Sequence, residues 1–386
     1  MTPSFTVGLL WLVFGGTHVG LATRTVRGRL VARLGENGFT ALYSVVAVAS
    51  FVALVGTYAA LRDDGVSGVG AGGVFRTLLI GVVALGVTLA VAGVVPYPSS
   101  SYALFRTTSQ TEPRGLERIT RHPFFVGAAL LGAGHALLAT RLAGLVFFTG
   151  LVLLSLAGAS HQDRKLLAAR GASHETFLAR TSMMPFLAIL RGRQRFAAGE
   201  LPLVALGLGV AAAWGLRQVH ASIFAHGGAY VIIAVVGGAL LATIQAWQRV
   251  ELRGRSTLEQ ALGPALVAIG IGHAAATVVF FPDGAAAILA DGVAGALSDA
   301  SSADAKAAFW FGLFAPALVF FGWLTSHAIA REDGVLLAGI AWFLVGTALL
   351  GVVVMPLSGF WLVLVVGALM LRAVPPRPCN ASERAL

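Results

Sequence analysis

The chain has 386 residues, 57% of them hydrophobic and only 11% charged, with 27 Lys+Arg against 17 Asp+Glu for a formal charge of +10. A soluble domain carries about 25% charged residues, so this chain lacks the charge to coat a globule in water. The basic excess lies in short Arg clusters between apolar runs, not in a basic helix or an aromatic-interleaved patch. The expected partner is therefore the lipid bilayer and not nucleic acid.

An apolar run of roughly 17–25 residues is long enough to cross a bilayer. Eleven such runs follow in chain order: 5–22, 41–61, 75–95, 124–140, 142–160, 201–217, 229–247, 262–281, 308–329, 335–354 and 358–372. The first has no charged region before it and no clear cleavage site after it, so it reads as a retained span. The expected fold is all-α, a polytopic transmembrane helix bundle of about eleven spans. The loops give an orientation. Residues 23–40 (Arg24, Arg27, Arg29, Arg33), 96–123 (Arg106, Arg114, Arg118, Arg121), 161–200, 248–261 and the tail (Arg377, Arg384) are rich in Arg, whereas 282–307 holds Asp283, Asp291, Asp299 and Asp304 with a single Lys306. This alternation predicts an outer N-terminus, a cytoplasmic C-terminus and the inner or plasma membrane of a cell as location.

Two connecting stretches stand apart. Residues 63–74, "DDGVSGVGAGGV", lack the strand and the Lys-Ser/Thr of a phosphate loop and read as a flexible outer loop. Residues 181–190, "TSMMPFLAIL", are too short to cross and read as an interfacial element on the cytoplasmic face. The loop 248–261 divides the chain into modules 1–250 and 251–386, the second with four spans and a polar tail. The lone Cys379 excludes a disulfide framework or a Cys-ligated cluster within one chain.

Polar groups inside spans are functional candidates. Before residue 250 these are His18, His122, His135, His161, His220 and His226, while His174 reads as plain surface. His18 in "FGGTHVGLA" and His135 in "LLGAGHALL" have glycine neighbours that admit a helix or a flat ligand close to the backbone. A buried imidazole of this kind suits an axial ligand of haem iron, or simply a hydrogen bond to a neighbouring helix. The two are not level: His18 is expected about 6–8 Å from the cytoplasmic edge and His135 about 17–18 Å, at 1.5 Å per residue. His161 is a substitute partner for His18. His122 precedes Pro123 at the mouth of its helix, a structural position. In "HQDRK", Asp163 and Arg164 are expected to form local ion pairs. His220 and His226 lie near the outer ends of two spans. Few acidic residues lie in spans, which argues against an ion-coupled transporter.

The stretch "GLERITRHPFFVGAALLGAGHALL", then "HQDRKLLAARG", "FLARTSMMPF" and "GRQ", with "FGGTHVGLA" and "ALYSVVAV" before them, resembles the NnrU family, which includes haem-dependent carotenoid isomerases. The resemblance covers about residues 5–230. It implies haem b held by His18 and His135, with His122, Arg121 and Asp163 in a supporting shell, and a membrane-dissolved polyene as substrate for cis–trans isomerisation. It also implies a rival reading, a non-enzymatic haem or redox sensor or an accessory factor of denitrification with a redox partner. Where the isomerases carry a cysteine three residues before the second histidine, this chain has Gly132. Residues from "GIGHAAATVVFF" to "VVVMPLSGFW" resemble a family of small four-helix membrane proteins of unknown function, marked by His273, and Pro356 with Gly359 predict a tight turn.

Overall fold

A computed structural model describes residues 2–94, 112–224, 226–252, 254–290, 297–298 and 300–374. Among them there is no strand, only an isolated bridge between Ser67 and Arg141. Fourteen α-helices are described: α1 (Pro3–Gly20), α2 (Arg24–Leu61), α3 (Gly73–Ala92), α4 (Pro123–Leu138), α5 (Leu142–Arg170), α6 (Ala172–Arg180), α7 (Leu187–Leu190), α8 (Leu203–Gln218), α9 (Ala229–Glu251), α10 (Thr257–Phe280), α11 (Pro282–Ala290), α12 (Ala303–Ala330), α13 (Gly334–Val354) and α14 (Phe360–Ala373).

Six helices are long and apolar enough to cross a membrane: Gly38–Leu61, Gly73–Ala92, Leu142–Arg170, Leu258–Phe280, Ala303–Ala330 and Gly334–Val354. α1 joins Thr25–Glu36 in a bent pair that passes the same test, and α4, α8, the first half of α9 and α14 are apolar but shorter. Large apolar side chains such as Leu12 (74% exposed), Val45 (67%) and Trp214 (69%) face outward. So much outward apolar surface suits lipid and not water. The chain is an integral membrane protein built of helices.

The chain divides into two compact units, residues 1–228 and 229–386. α9, expected in the first module, groups with the second unit. Within unit 1, glycines set the packing. Apolar association brings no hydrophobic gain in lipid, so small residues that let backbones approach matter most. A Cβ on Gly86 of α3 would come within 2.6 Å of the Leu131 backbone nitrogen of α4, and one on Gly209 of α8 within 2.7 Å of the Thr88 carbonyl. α2 changes direction at Gly35, whose φ of +72° suits glycine.

The glycine-rich loop is not the free segment expected. Gly68 N donates to Thr140 O (2.8 Å), Gly70 N to Ala139 O (2.9 Å), Ala71 N to Leu137 O (3.1 Å) and Leu142 N to Val66 O (2.8 Å), so the loop is clamped on the turn between α4 and α5. Its glycines serve contact: a Cβ on Gly68 would lie 2.8 Å from Arg141 O.

Unit 2 has its own core of Leu262, Leu266, Leu337, Ile340, Ala341, Leu344, Val363, Val366 and Met370. α10 and α12 cross closely at Gly270 and Gly322. His273 has its Nε2 3.0 Å from Phe311 O and stacks on the Phe311 ring, so it ties these two helices together. The turn at Pro356 forms as expected, with Trp361 Nε1 donating to Pro356 O. Cys379, Arg377, Arg384, Arg106, Asp291 and Asp299 lie outside the described residues, as does the side chain of His226.

Candidate functional site

Three separated stretches of unit 1 meet at one end of α4 and α5. The chain between Arg114 and Pro123 forms only a short 3-10 turn, Gly115–Arg118. Pro123 then opens α4, where its missing N–H costs nothing. Ahead of it, the backbone pairs with the stretch after α6: Arg121 N donates to Ser182 O (2.9 Å), Thr120 Oγ1 to Met183 O (2.7 Å) and Phe186 N to Ile119 O (2.9 Å).

Asp163 of α5 enters this junction. Arg121 donates to its Oδ2 from Nε (2.9 Å) and Nη2 (2.8 Å). His122 donates from Nε2 to Oδ1 at 2.8 Å, because a carboxylate can only accept. His174 of α6 places Nε2 3.9 Å from the same oxygen. His122 is 2% exposed and His174 3% exposed. His174 is therefore no surface residue, contrary to expectation: α6 folds back and carries it inward. Nor does Asp163 pair with Arg164, which instead donates to the Ser160 carbonyl of its own helix. The supporting trio expected from the sequence, Arg121, His122 and Asp163, does come together. His122 Nδ1, His161 Nε2 and His174 Nε2 are buried without a hydrogen-bond partner among the described residues. A carboxylate that orients an imidazole and leaves its other nitrogen bare is an arrangement that can hold or pass a proton at His122 Nδ1.

The other histidines lie along the helices. His135 donates from Nδ1 to Leu131 O at 2.9 Å, one turn back on α4. That bond leaves the lone pair on Nε2, the tautomer in which metal-ligating histidines are held by a backbone carbonyl. Its ring stacks on Phe148 of α5 (4.7 Å between centroids) and lies parallel to His220, 5.9 Å away with 9° between planes. Among the described residues no other two histidine rings pack together. His18 lies elsewhere: its Nδ1 is 3.1 Å from the Tyr43 hydroxyl, and its ring neighbours are Phe14 and Tyr43.

α5 measures the separation. Trp11 packs on Phe147 and beside Gly150, and α1 runs parallel to α5, since Gly8 meets Val146. His135 stacks on Phe148. His18, seven residues beyond Trp11, is thus offset from His135 on the order of 10 Å at 1.5 Å per residue. His18 and His135 therefore stand at different levels along α5. His220 is the imidazole beside His135. The glycines differ too. Gly132 and Gly134 lie against α5 and α3, where a Cβ would press on Phe148 O and on Val83, whereas a Cβ on Gly15, Gly16 or Gly20 around His18 would meet nothing within 4 Å. Among the described residues no cluster of three or more His, Cys, Asp or Glu could hold a bare metal ion.

Sequence reasoning missed His174, Tyr43 and the pairing of His135 with His220. Only Tyr43 left a trace, as the tyrosine of the quoted "ALYS".

Comparison with known proteins bears on the same residues. The family model of NnrU protein matches residues 6–227. A second model, of a family of unknown function (DUF6463), matches residues 257–377. The chloroplastic 15-cis-zeta-carotene isomerase of Zea mays is 27% identical over 197 residues, 48% of this chain and 51% of that protein. Its counterpart in Arabidopsis thaliana is 29% identical over 204 residues, 50% of this chain and 52% of that protein. The chain thus spans about half the length of the curated relatives it matches. No solved structure matches it.

Proposed function

This chain belongs to the NnrU family, and on that premise we propose that it is a haem-b-binding membrane protein that isomerises a cis polyene of the carotenoid-precursor class. The observation that carries the reading is His135: a half-buried imidazole, tautomer held by Leu131 O, in the part of the chain matched by the NnrU model. His135 would hold the haem iron, and His220, His18 or His161 would be the further histidines available to it. A bound haem supplies an iron with an exchangeable position at which the π-electrons of a polyene can be engaged. The chain's own residues do the rest. The apolar faces of α3, α4 and α5 exclude water and receive a substrate that dissolves only in lipid. Asp163 and Arg121 orient His122, which holds a proton at the arginine-rich end. We further propose that all eleven apolar runs cross the plasma membrane, with the N-terminus outside and the C-terminus in the cytoplasm.

The test is conversion of 15-cis-zeta-carotene by the full-length chain in cells that accumulate it, read by chromatography of extracted pigments. Conversion by the wild type that falls to background in H135A supports the reading. Wild-type cells that keep the 15-cis isomer overturn it.

One observation favours a second reading, a haem or redox sensor or an accessory factor of denitrification that catalyses nothing. At Gly132 a side chain of any size would press on α5, with a Cβ 2.9 Å from Phe148 O. No thiol can therefore stand there to exchange with an axial histidine. A protein of this kind would bind haem, change its spectrum on reduction and leave the polyene untouched.

A further inference from the structure

Beside the Asp163 junction, on the arginine-rich side, the segment from Arg180 to Glu200 folds into a tight turn. Arg193 N and Gln194 N both donate to Ala188 O, at 2.9 and 3.1 Å. Phe186 and Gly192 adopt positive φ, 62° and 69°, to make it. An open pocket of about 310 Å³ results, lined by Arg118, Arg180, Gly192, Arg193, Gln194 and Arg195.

The guanidinium groups are held in place. Arg118 donates to Glu200 from Nε (2.8 Å) and Nη2 (2.9 Å) and to Gln194 Oε1 from Nη1 (2.8 Å). Arg193 donates to Ala179 O (3.0 Å), and Arg180 pairs with Glu112. The Arg118 hydrogen bonds draw the Glu200 carboxyl below its ordinary range, so it is charged at neutral pH. Two of the four arginines are thus balanced by Glu112 and Glu200. Arg193 and Arg195 have no carboxylate within ion-pair distance among the described residues, although Arg195 feels the charge of Glu200. The pocket keeps a surplus of positive charge. A guanidinium has five N–H donors, and Arg193 and Arg118 have donors to spare.

What surrounds the pocket is apolar. Met184 (63% exposed), Phe186 (50%), Leu190 (81%) and Phe196 (53%) project from the same short segment. In a membrane protein, an exposed apolar segment with basic flanks lies in the interface with its side chains among acyl chains. That puts the arginines at headgroup depth.

We propose that this pocket binds the phosphate of an anionic phospholipid headgroup, with Arg193 and Arg195 as its main ligands and the Met184–Phe196 segment against the acyl chains. Free phosphate shares the chemistry but has no use for the apolar rim.

The test is native mass spectrometry of the full-length protein released from phosphatidylcholine nanodiscs that contain phosphatidylglycerol. The wild type is expected to retain phosphatidylglycerol in preference to phosphatidylcholine. R193A/R195A is expected to lower that retention roughly 30-fold, and R195A alone about fivefold, from the usual contribution of a basic residue at an anionic surface. R193K/R195K should restore most of it. R195A also serves if the double variant misfolds, because among the described residues no hydrogen bond from Arg195 holds the turn. Retention unchanged in R195A overturns the proposal, as does equal retention of the two lipids. Inorganic phosphate that displaces the lipid at matched concentration assigns the pocket to free phosphate and overturns the lipid source.

Discussion

Asp163 shows how much one residue can decide. It accepts from Arg121 and His122 and stands 3.9 Å from His174, so it joins three stretches that the sequence keeps far apart. Breaking a buried ion pair by removing one partner is strongly destabilising, on the order of 3 kcal/mol. D163N is therefore expected to lower the thermal midpoint in detergent markedly. Because both residues serve one interaction, R121A/D163A should lose clearly less than the sum of R121A and D163A; additive losses would show that the contact carries no energy. The trio of Arg121, His122 and Asp163 was legible because its members sit in motifs, "RHP" and "HQDRK". His174 was not, because nothing in "GASHETF" reports that α6 turns back on α5. The spacing between His18 and His135 was partly legible: counting residues from the span edges already put them at different depths, and the register of α1 and α4 on α5 agrees.

At the scale of elements, apolar run length located helices, since most of each of the eleven expected runs lies in a described helix, although only six of these helices are long and apolar enough to cross a membrane. What run length cannot report is contact between elements. The loop 63–74 looked free because its residues are small and flexible; its partners, Leu137 to Leu142, are more than sixty residues away. The two kinds of glycine in that loop separate by experiment. A Cβ on Gly68 would strike Arg141 O and its neighbours, while one on Gly72 would meet nothing within 4 Å. We expect G68A to destabilise by about 1–3 kcal/mol, as overpacking does, and G72A to stay within about 0.5 kcal/mol of wild type. Unfolding in mixed micelles with increasing dodecyl sulfate measures both. Equal midpoints for the two variants would mean that the clamp does not form.

At the scale of the whole molecule, the chain joins an NnrU unit to a second helical unit, matched from residue 257 onward by a family of unknown function. The sequence reads a division at the polar loop 248–261, whereas the compact units divide at residue 228, with α9 in the second. Loop composition had placed the break at the next arginine cluster, and hydropathy is blind to which neighbour a helix prefers. The proposed eleven crossings fix which loops share a side. With Cys379 replaced by Ser, a single cysteine at Ala172 and one at Ser301 should react with a membrane-impermeant maleimide from opposite sides. Labelling of both from one side would remove or add a crossing between them.

The haem proposed at His135 is tested most directly by absorption spectra of the detergent-purified full-length protein, oxidised and dithionite-reduced, for wild type, H135A, H220A and H18A. A b-type Soret band and a sharp reduced α-band in the wild type, abolished in H135A, disturbed in H220A and retained in H18A, is the expected result. A wild type that stays colourless after haemin is added, or an H135A protein with the wild-type spectrum, would contradict it.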